Sequence, residues 1–352
     1  MTPQEAIAVI GTGATTALGW DAPASFAAVR AGVPGFAEHP YLVDSAGDFV
    51  VAALAPAAPA DTGGADRFGP MIDRAFGEAL KPLAAAALGE VTIPCVIGIP
   101  RPRPGLPDDL EERIRADLMR PRAGGRPAVD VVCIAGDHAA GLLAIRSCWE
   151  WMQRTGSAIG LAGGVDSWIS SETIEWLEGM EWLHAQRTPF GFIPGEAAAF
   201  CLLASPEAAR RLGAVPRLLI RAVAAAAEPV PIGHEGVCVG RGLSHAVQGA
   251  LSLLPTSERV HDTICDLNGD PYRADEFGFT VTRTSDRFLS ATEVLAPADC
   301  WGDVGAASGP LFVGLAAAAA ERGWARGTNT LVWTSSTGTE RAAALLELPR
   351  SE

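Results

Sequence analysis

Apolar and polar positions fall into short alternating blocks along this 352-residue chain. The first block, Ala6-Ile7-Ala8-Val9-Ile10, is apolar and closed by Gly11, which predicts a buried strand. Residues Gly11 to Gly19 then read as a tight strand-to-helix turn. Pro56 to Asp66 and Arg101 to Asp109 are too rich in proline, alanine or glycine for regular structure and predict surface loops. Glu111 to Leu118 predicts a charged surface helix, and Val129 to Ile134 another strand. The pattern then repeats itself. Asp137-His138-Ala139-Ala140-Gly141 opens an apolar helix ending near Gly156, with a strand from Ala158 to Gly164. Asp303 to Gly309 opens a second apolar helix ending near Gly323, with a strand from Thr328 to Trp333. Two copies of one unit predict a duplicated fold. Both helices are apolar on nearly every face, so they belong at the centre of the molecule. Alternating strands and helices imply a layered α/β architecture.

Composition narrows the function classes. Hydrophobic residues make up 48% and charged residues 19%, enough to bury a large core. Lys81 is the only lysine, so arginine carries nearly all the positive charge. The net charge of −14 argues against nucleic-acid binding and against a polybasic membrane anchor. The most apolar stretch, Leu311 to Ala320, falls short of the ~20 residues a bilayer requires. The N-terminus lacks the positive region of a signal peptide, so a cytoplasmic protein is expected. The seven cysteines are spread out without a Cys-x-x-Cys pair, which predicts neither a disulfide framework nor a zinc cluster. His184, His234, His245 and His261 show no metal-ligand spacing. Gly11-Thr12-Gly13-Ala14-Thr15-Thr16 departs from the dinucleotide fingerprint at Thr16, and no cofactor is expected. Trp149, Trp151, Trp168, Trp176 and Trp182 are expected to serve core and dimer packing.

Four segments together resemble the β-ketoacyl synthases of the thiolase superfamily. They are Val9 to Gly19, Ala139-Ala140-Gly141-Leu142, Ala162-Gly163-Gly164-Val165-Asp166-Ser167, and Thr188 to Ala197 with its Gly191-Phe192-Ile193-Pro194-Gly195-Glu196-Ala197 stretch. Their order and spacing match the family over nearly the whole chain. The resemblance implies a thiolase-like fold of two α/β halves in five layers (α-β-α-β-α). The chain then forms one domain, residues 1–352, with halves 1–205 and 206–352. The two halves are expected to carry a mirrored pair of five-stranded sheets.

The resemblance also implies where the chemistry should lie, and there the chain departs from the family. The family's nucleophilic cysteine matches His138, its two histidines match Asn268 and Asp303, and the lysine before the second histidine is missing. The loop that gates the family's acyl pocket matches Ser335 to Glu340. Condensation needs a thiolate, and decarboxylation needs two neutral donors for the enolate oxygen. An ionised Asp303 would repel that charge. Vestigial roles are therefore expected for His138, Asn268 and Asp303, with Asp137 and Glu196 in support. A His138/Asp303 dyad, oriented by Asp303 or Asp137 and acting on an acyl thioester, is the alternative. The expected function is a non-condensing binding or adaptor subunit: a chain-length-factor-like partner of a synthase, or an accessory protein of a type VI secretion effector locus. Expected partners are a second copy or a related chain, and an acyl carrier protein or a secreted effector.

Overall fold

The computed structural model describes residues 6–84, 91–120 and 127–349. The N-terminal half holds β1 (Ile7–Thr16), α1 (Ala22–Arg30), β2 (Ala37–Val43), β3 (Phe49–Ala52), α2 (Phe68–Ala79), β4 (Thr92–Ile99), α3 (Leu110–Met119), β5 (Ala128–Ala135), α4 (Asp137–Thr155), β6 (Ile159–Ser167), α5 (Ser171–Gly179) and β7 (Glu196–Ala204). After α6 (Pro206–Arg211) come β8 (Leu218–Ala227), α7 (Arg241–Leu251), β9 (Asp262–Cys265), α8 (Pro271–Thr284), α9 (Ala298–Trp301), α10 (Ser308–Glu321), β10 (Asn329–Ser335) and β11 (Glu340–Glu347).

Nine strands form one sheet in the order β5-β4-β6-β7-β1-β8-β11-β10-β9. The seam is short: Ile7, Ala8 and Val9 of β1 pair with Ile220, Leu219 and Leu218 of β8. On either side of it the order repeats, with β5-β4-β6-β7-β1 answered by β9-β10-β11-β8. The expected fifth strand of the second half is reduced to one bridge, Leu295 beside Ile264 of β9. Pro297 lies two positions beyond and starts the short α9, which stops the strand from extending. Among the described residues the second half therefore has four strands rather than the expected five.

Helices cover both faces. α2 packs on β1 and β7, and α3 on β5, while α7 packs on β8 and β11 with α8 against it. α4 touches β4 and β6 of one half and β8, β10 and β11 of the other, and α10 also contacts both halves. The sheet thus folds around a central pair of helices, giving five layers. This explains why α10 is buried at every position from Ser308 to Ala319. The largest apolar cluster, with Leu142, Ile145, Leu311 and Val332, lies in this central layer.

Two expectations are corrected. β1 continues to Thr16, so Gly11 to Thr16 is strand and not turn. Its glycines serve close approach, since a Cβ on Gly13 would lie 2.0 Å from the Ala75 carbonyl oxygen of α2. Asp303 does not open the second central helix, which begins at Ser308 after a 3-10 turn over Gly305–Ala307.

The two central helices cross at small residues. A Cβ on Gly141 would lie 2.4 Å from Pro310 Cδ and 2.6 Å from the Ala306 carbonyl oxygen. Gly141→Ala is expected to destabilise the protein by about 3 kcal/mol through overpacking. Gly278→Ala, on the exposed side of α8 with nothing near its added methyl, is expected to stabilise by about 1 kcal/mol. Urea unfolding of both variants checks the pair.

Candidate functional site

Parallel strands β4 and β5 end side by side at Ile99 and Ala135. The chain then turns sharply into α4. Asp137 occupies the turn at φ +50°, a left-handed conformation unusual for a residue with a side chain. Its carboxylate holds it there: Oδ1 accepts from Arg101 N–H at 3.0 Å and Oδ2 from Thr337 Oγ1 at 2.7 Å. The Ser336 hydroxyl accepts from Ala139 N–H and donates to the Gly136 carbonyl. The loop after β10 thereby clamps the tip of α4.

The next residue, His138, is 1% exposed and reaches Asp303, which is 4% exposed. His138 Nε2 lies 2.8 Å from both carboxylate oxygens. Asn268 Nδ2 donates to Oδ2 at 2.6 Å, while Trp168 Nε1–H and Gly305 N–H donate to Oδ1 at 3.0 Å each. The structure thus joins His138, Asn268 and Asp303 in one cluster. Burial alone would raise the Asp303 carboxyl. The charge and hydrogen bond of His138, the charge of Arg273 and the Gly305 N–H outweigh burial and hold it well below the usual carboxylate range. Asp137 makes its bonds elsewhere, so Asp303 is the acid that engages the imidazole. His138 Nδ1 is buried and has no partner among the described residues.

Asp303 is fixed through its backbone as well. Its N–H donates to the Ile193 carbonyl at 2.8 Å, and its carbonyl accepts from Gly195 N–H at 2.9 Å. Gly302 just before it has φ +73° and ψ −173°, which glycine alone adopts readily. Glu196, next to Gly195, lies beneath in a buried pair: Arg67 Nε donates to Oε2 at 2.6 Å, Ser167 Oγ to Oε2 at 2.7 Å and Ala55 N–H to Oε1 at 2.8 Å.

Several members of the cluster were not singled out from sequence. Trp168, expected in core and dimer packing, sends its indole N–H into the Asp303 cluster. Arg103 lies 3.7 Å over the Trp168 ring and bonds Asp166 Oδ1 at 2.6 Å and the Ser167 carbonyl at 2.7 Å. Burial raises the Asp166 carboxyl while Arg103 opposes it. A cation between prolines, Pro102-Arg103-Pro104, was the available signal, since such a loop positions its side chains rigidly. Arg273 pairs with Asp266 at 2.6 Å and also bonds the Ser335 carbonyl. His184 bonds the Pro189 carbonyl through Nδ1 and takes no part in the cluster.

No protein-family profile matches the sequence, and no curated protein matches it. Solved structures do match. A chain of the ishigamide ketosynthase/chain length factor aligns with TM-score 0.67 at 19% identity, covering 98% of this chain and 100% of that one. The ketosynthase from module 6 of the bacillaene synthase of Bacillus subtilis 168 aligns with TM-score 0.75 at 13% identity, covering 99% and 73%. A chain of the ketosynthase ApeO in complex with its chain length factor ApeC, from Xenorhabdus doucetiae, aligns with TM-score 0.72 at 15% identity, covering 98% of each. The fold is therefore the thiolase-like fold of ketosynthases and chain length factors. No helix among the described residues is long and apolar enough to cross a membrane.

The depressed Asp303 carboxyl links stability to pH. Because its folded value lies below the unfolded one, its contribution is complete above about pH 4 and declines as pH falls below that. Asp303→Asn is expected to cost about 3 kcal/mol at pH 7 by leaving buried donors uncompensated, and to flatten the acid limb of the stability curve. Trp168→Phe removes one donor and is expected to cost about 1 kcal/mol. Urea midpoints between pH 3 and pH 7 report both.

Proposed function

We propose that this chain is a non-condensing, ketosynthase-like subunit that works beside a related chain, in the manner of a chain length factor. One observation carries the reading: the tip of α4 presents His138, buried and bonded through Nε2 to the Asp303 carboxylate. Claisen condensation runs through a thioester on a sulfur nucleophile, and an acyl-imidazole hydrolyses too readily to replace it. The ionised Asp303 repels a developing enolate where the reaction needs neutral donors. In this reading His138, Asn268 and Asp303 hold the site together instead of turning over substrate, with Asp137 and Glu196 in support.

The pairing surface follows from the sheet. β5 is an end strand whose outer backbone edge is unpaired among the described residues, and Val132 on it is 42% exposed. A free edge of this kind favours pairing with another strand. A two-fold contact through β5 would join either two copies or this chain and a relative. Two of the similar structures are a ketosynthase/chain length factor and a ketosynthase in complex with its chain length factor, which supports a related chain as the partner.

Incubation with acyl and malonyl thioesters is expected to leave the intact mass unchanged, and co-expression with a related ketosynthase is expected to yield a co-purifying complex. Val132→Lys is expected to split that complex without unfolding the subunit. A stoichiometric acyl adduct would overturn the reading. Recovery of a secreted effector in place of a ketosynthase would replace it with an adaptor role in a type VI secretion locus.

A second reading is favoured by the unpartnered His138 Nδ1. With Nε2 held by Asp303, Nδ1 is the nitrogen left to accept a proton in hydrolysis or acyl transfer from a thioester. This reading requires thioester turnover that His138→Gln abolishes while partner binding persists. Absence of turnover in the unaltered protein removes it.

A further inference from the structure

A separate cavity of about 720 Å³ lies between the β2–β3 hairpin, the proline-rich loop after β4 and the first turn of α5. Its volume suits a small organic ligand. His39, Tyr41, Asp61, Asp66, Arg113 and Glu172 are among its walls, and none of the side chains that bond Asp303 is.

His39 is 2% exposed. Its Nδ1 accepts the backbone N–H of Tyr41 at 3.2 Å and of Leu42 at 3.0 Å. A ring nitrogen that accepts hydrogen bonds carries no proton, so the neutral ring bears its hydrogen on Nε2. Burial, together with the nearby charge of Arg67, pushes His39 below its ordinary range against the opposing pull of Glu196, which favours that neutral form. Nε2 is buried and has no acceptor among the described residues. The hairpin therefore holds a donor of fixed tautomer with no acceptor among the described residues. Buried donors are nearly always satisfied, so this one points to an occupant.

The charges around the cavity define what that occupant is. Asp61, Asp66 and Glu172 bring three carboxylates, and the wall's one cation, Arg113, already bonds Asp109 at 2.8 Å. An anion would be repelled. The occupant must accept from His39 and donate to carboxylates, and hydroxyl groups do both. We propose that this cavity binds a neutral polyhydroxylated molecule of monosaccharide size, one oxygen receiving His39 Nε2–H and other hydroxyls donating to the carboxylates. Tyr41, 66% exposed, supplies an aromatic face for the sugar's C–H groups.

The test is a titration of the full chain with D-glucose, following the His39 ring signals by ¹H–¹⁵N NMR, with sodium acetate as the anionic comparison. A saturable change at His39 with glucose and none with acetate is expected. His39→Asn keeps an acceptor for the Tyr41 and Leu42 amides but lacks the distal donor. It is expected to bind glucose ~10-fold more weakly, the loss of about one hydrogen bond. Should that variant fail to fold, Glu172→Gln on the exposed first turn of α5 carries the test, with weaker glucose binding expected. Unmoved His39 signals, a response to acetate alone, or unchanged affinity in the folded variants would overturn the proposal. So would a His39 response that follows protein concentration without sugar, which would assign the cavity to a contact between copies.

Discussion

The Asp303 carboxylate is the constraint on which the centre of this molecule depends. A charge this deeply buried is costly unless its oxygens are satisfied. Here four groups from four parts of the chain supply the compensation: the His138 ring, the Asn268 amide, the Trp168 indole and the Gly305 backbone N–H. His138 comes from the first central helix, and Gly305 from the lead-in to the second. Asn268 follows β9, and Trp168 follows β6. One anion therefore ties both halves of the duplicated fold together at the point where the central helices begin. Four other ion pairs are buried among the described residues: Arg67–Glu196, Arg103–Asp166, Arg273–Asp266 and Arg341–Glu276.

The duplication explains how such a cluster arises. In each half the same strand order delivers a loop to the tip of a central helix, so equivalent loops meet at the pseudo-two-fold centre. Small residues where α4 and α10 cross let the helices approach closely enough for His138 and Asp303 to bond. The geometry of the cluster follows from backbone packing, and the side chains at those positions determine what the cluster does. Here an imidazole faces a carboxylate, and the two form a buried hydrogen-bonded pair.

The central helices, the strands β1, β5, β6 and β10 and the thiolase-like fold were legible in the sequence. Apolar residues on every face of 308–319 place a helix between two layers. The resemblance leads one to expect His138, Asn268 and Asp303 at one site, each beside glycine and small residues, and the fold brings the three together around the Asp303 carboxylate. What was missed has a common cause. The glycines of β1 resemble a turn in sequence, but they are demanded by α2, whose backbone lies against the strand through contacts distant along the chain. Trp168 reads as core because its ring is apolar, and only the folded chain shows where its one N–H goes. Arg103 reads as a loop cation until Trp168 and Asp166 are placed on either side of it. The fifth strand of the second half shrinks to a single bridge because Pro297 follows Leu295 so closely, a detail weaker than the repeat pattern around it.

The same cluster sets what the tip of α4 can present to a partner. Asp137 is held in a left-handed turn by Arg101 and Thr337, and Arg101 also bonds Glu340 of β11. Ser336 closes the turn from the other side. The helix tip is therefore fixed from both halves, independently of any substrate. The proposed role as a paired subunit makes use of that rigidity. It keeps the sheet edge at β5, which leads directly into α4, in one orientation relative to the rest of the fold. For a subunit that acts by pairing with a relative, a fixed edge reduces the ordering cost of association, while mobility at the helix tip would add to it.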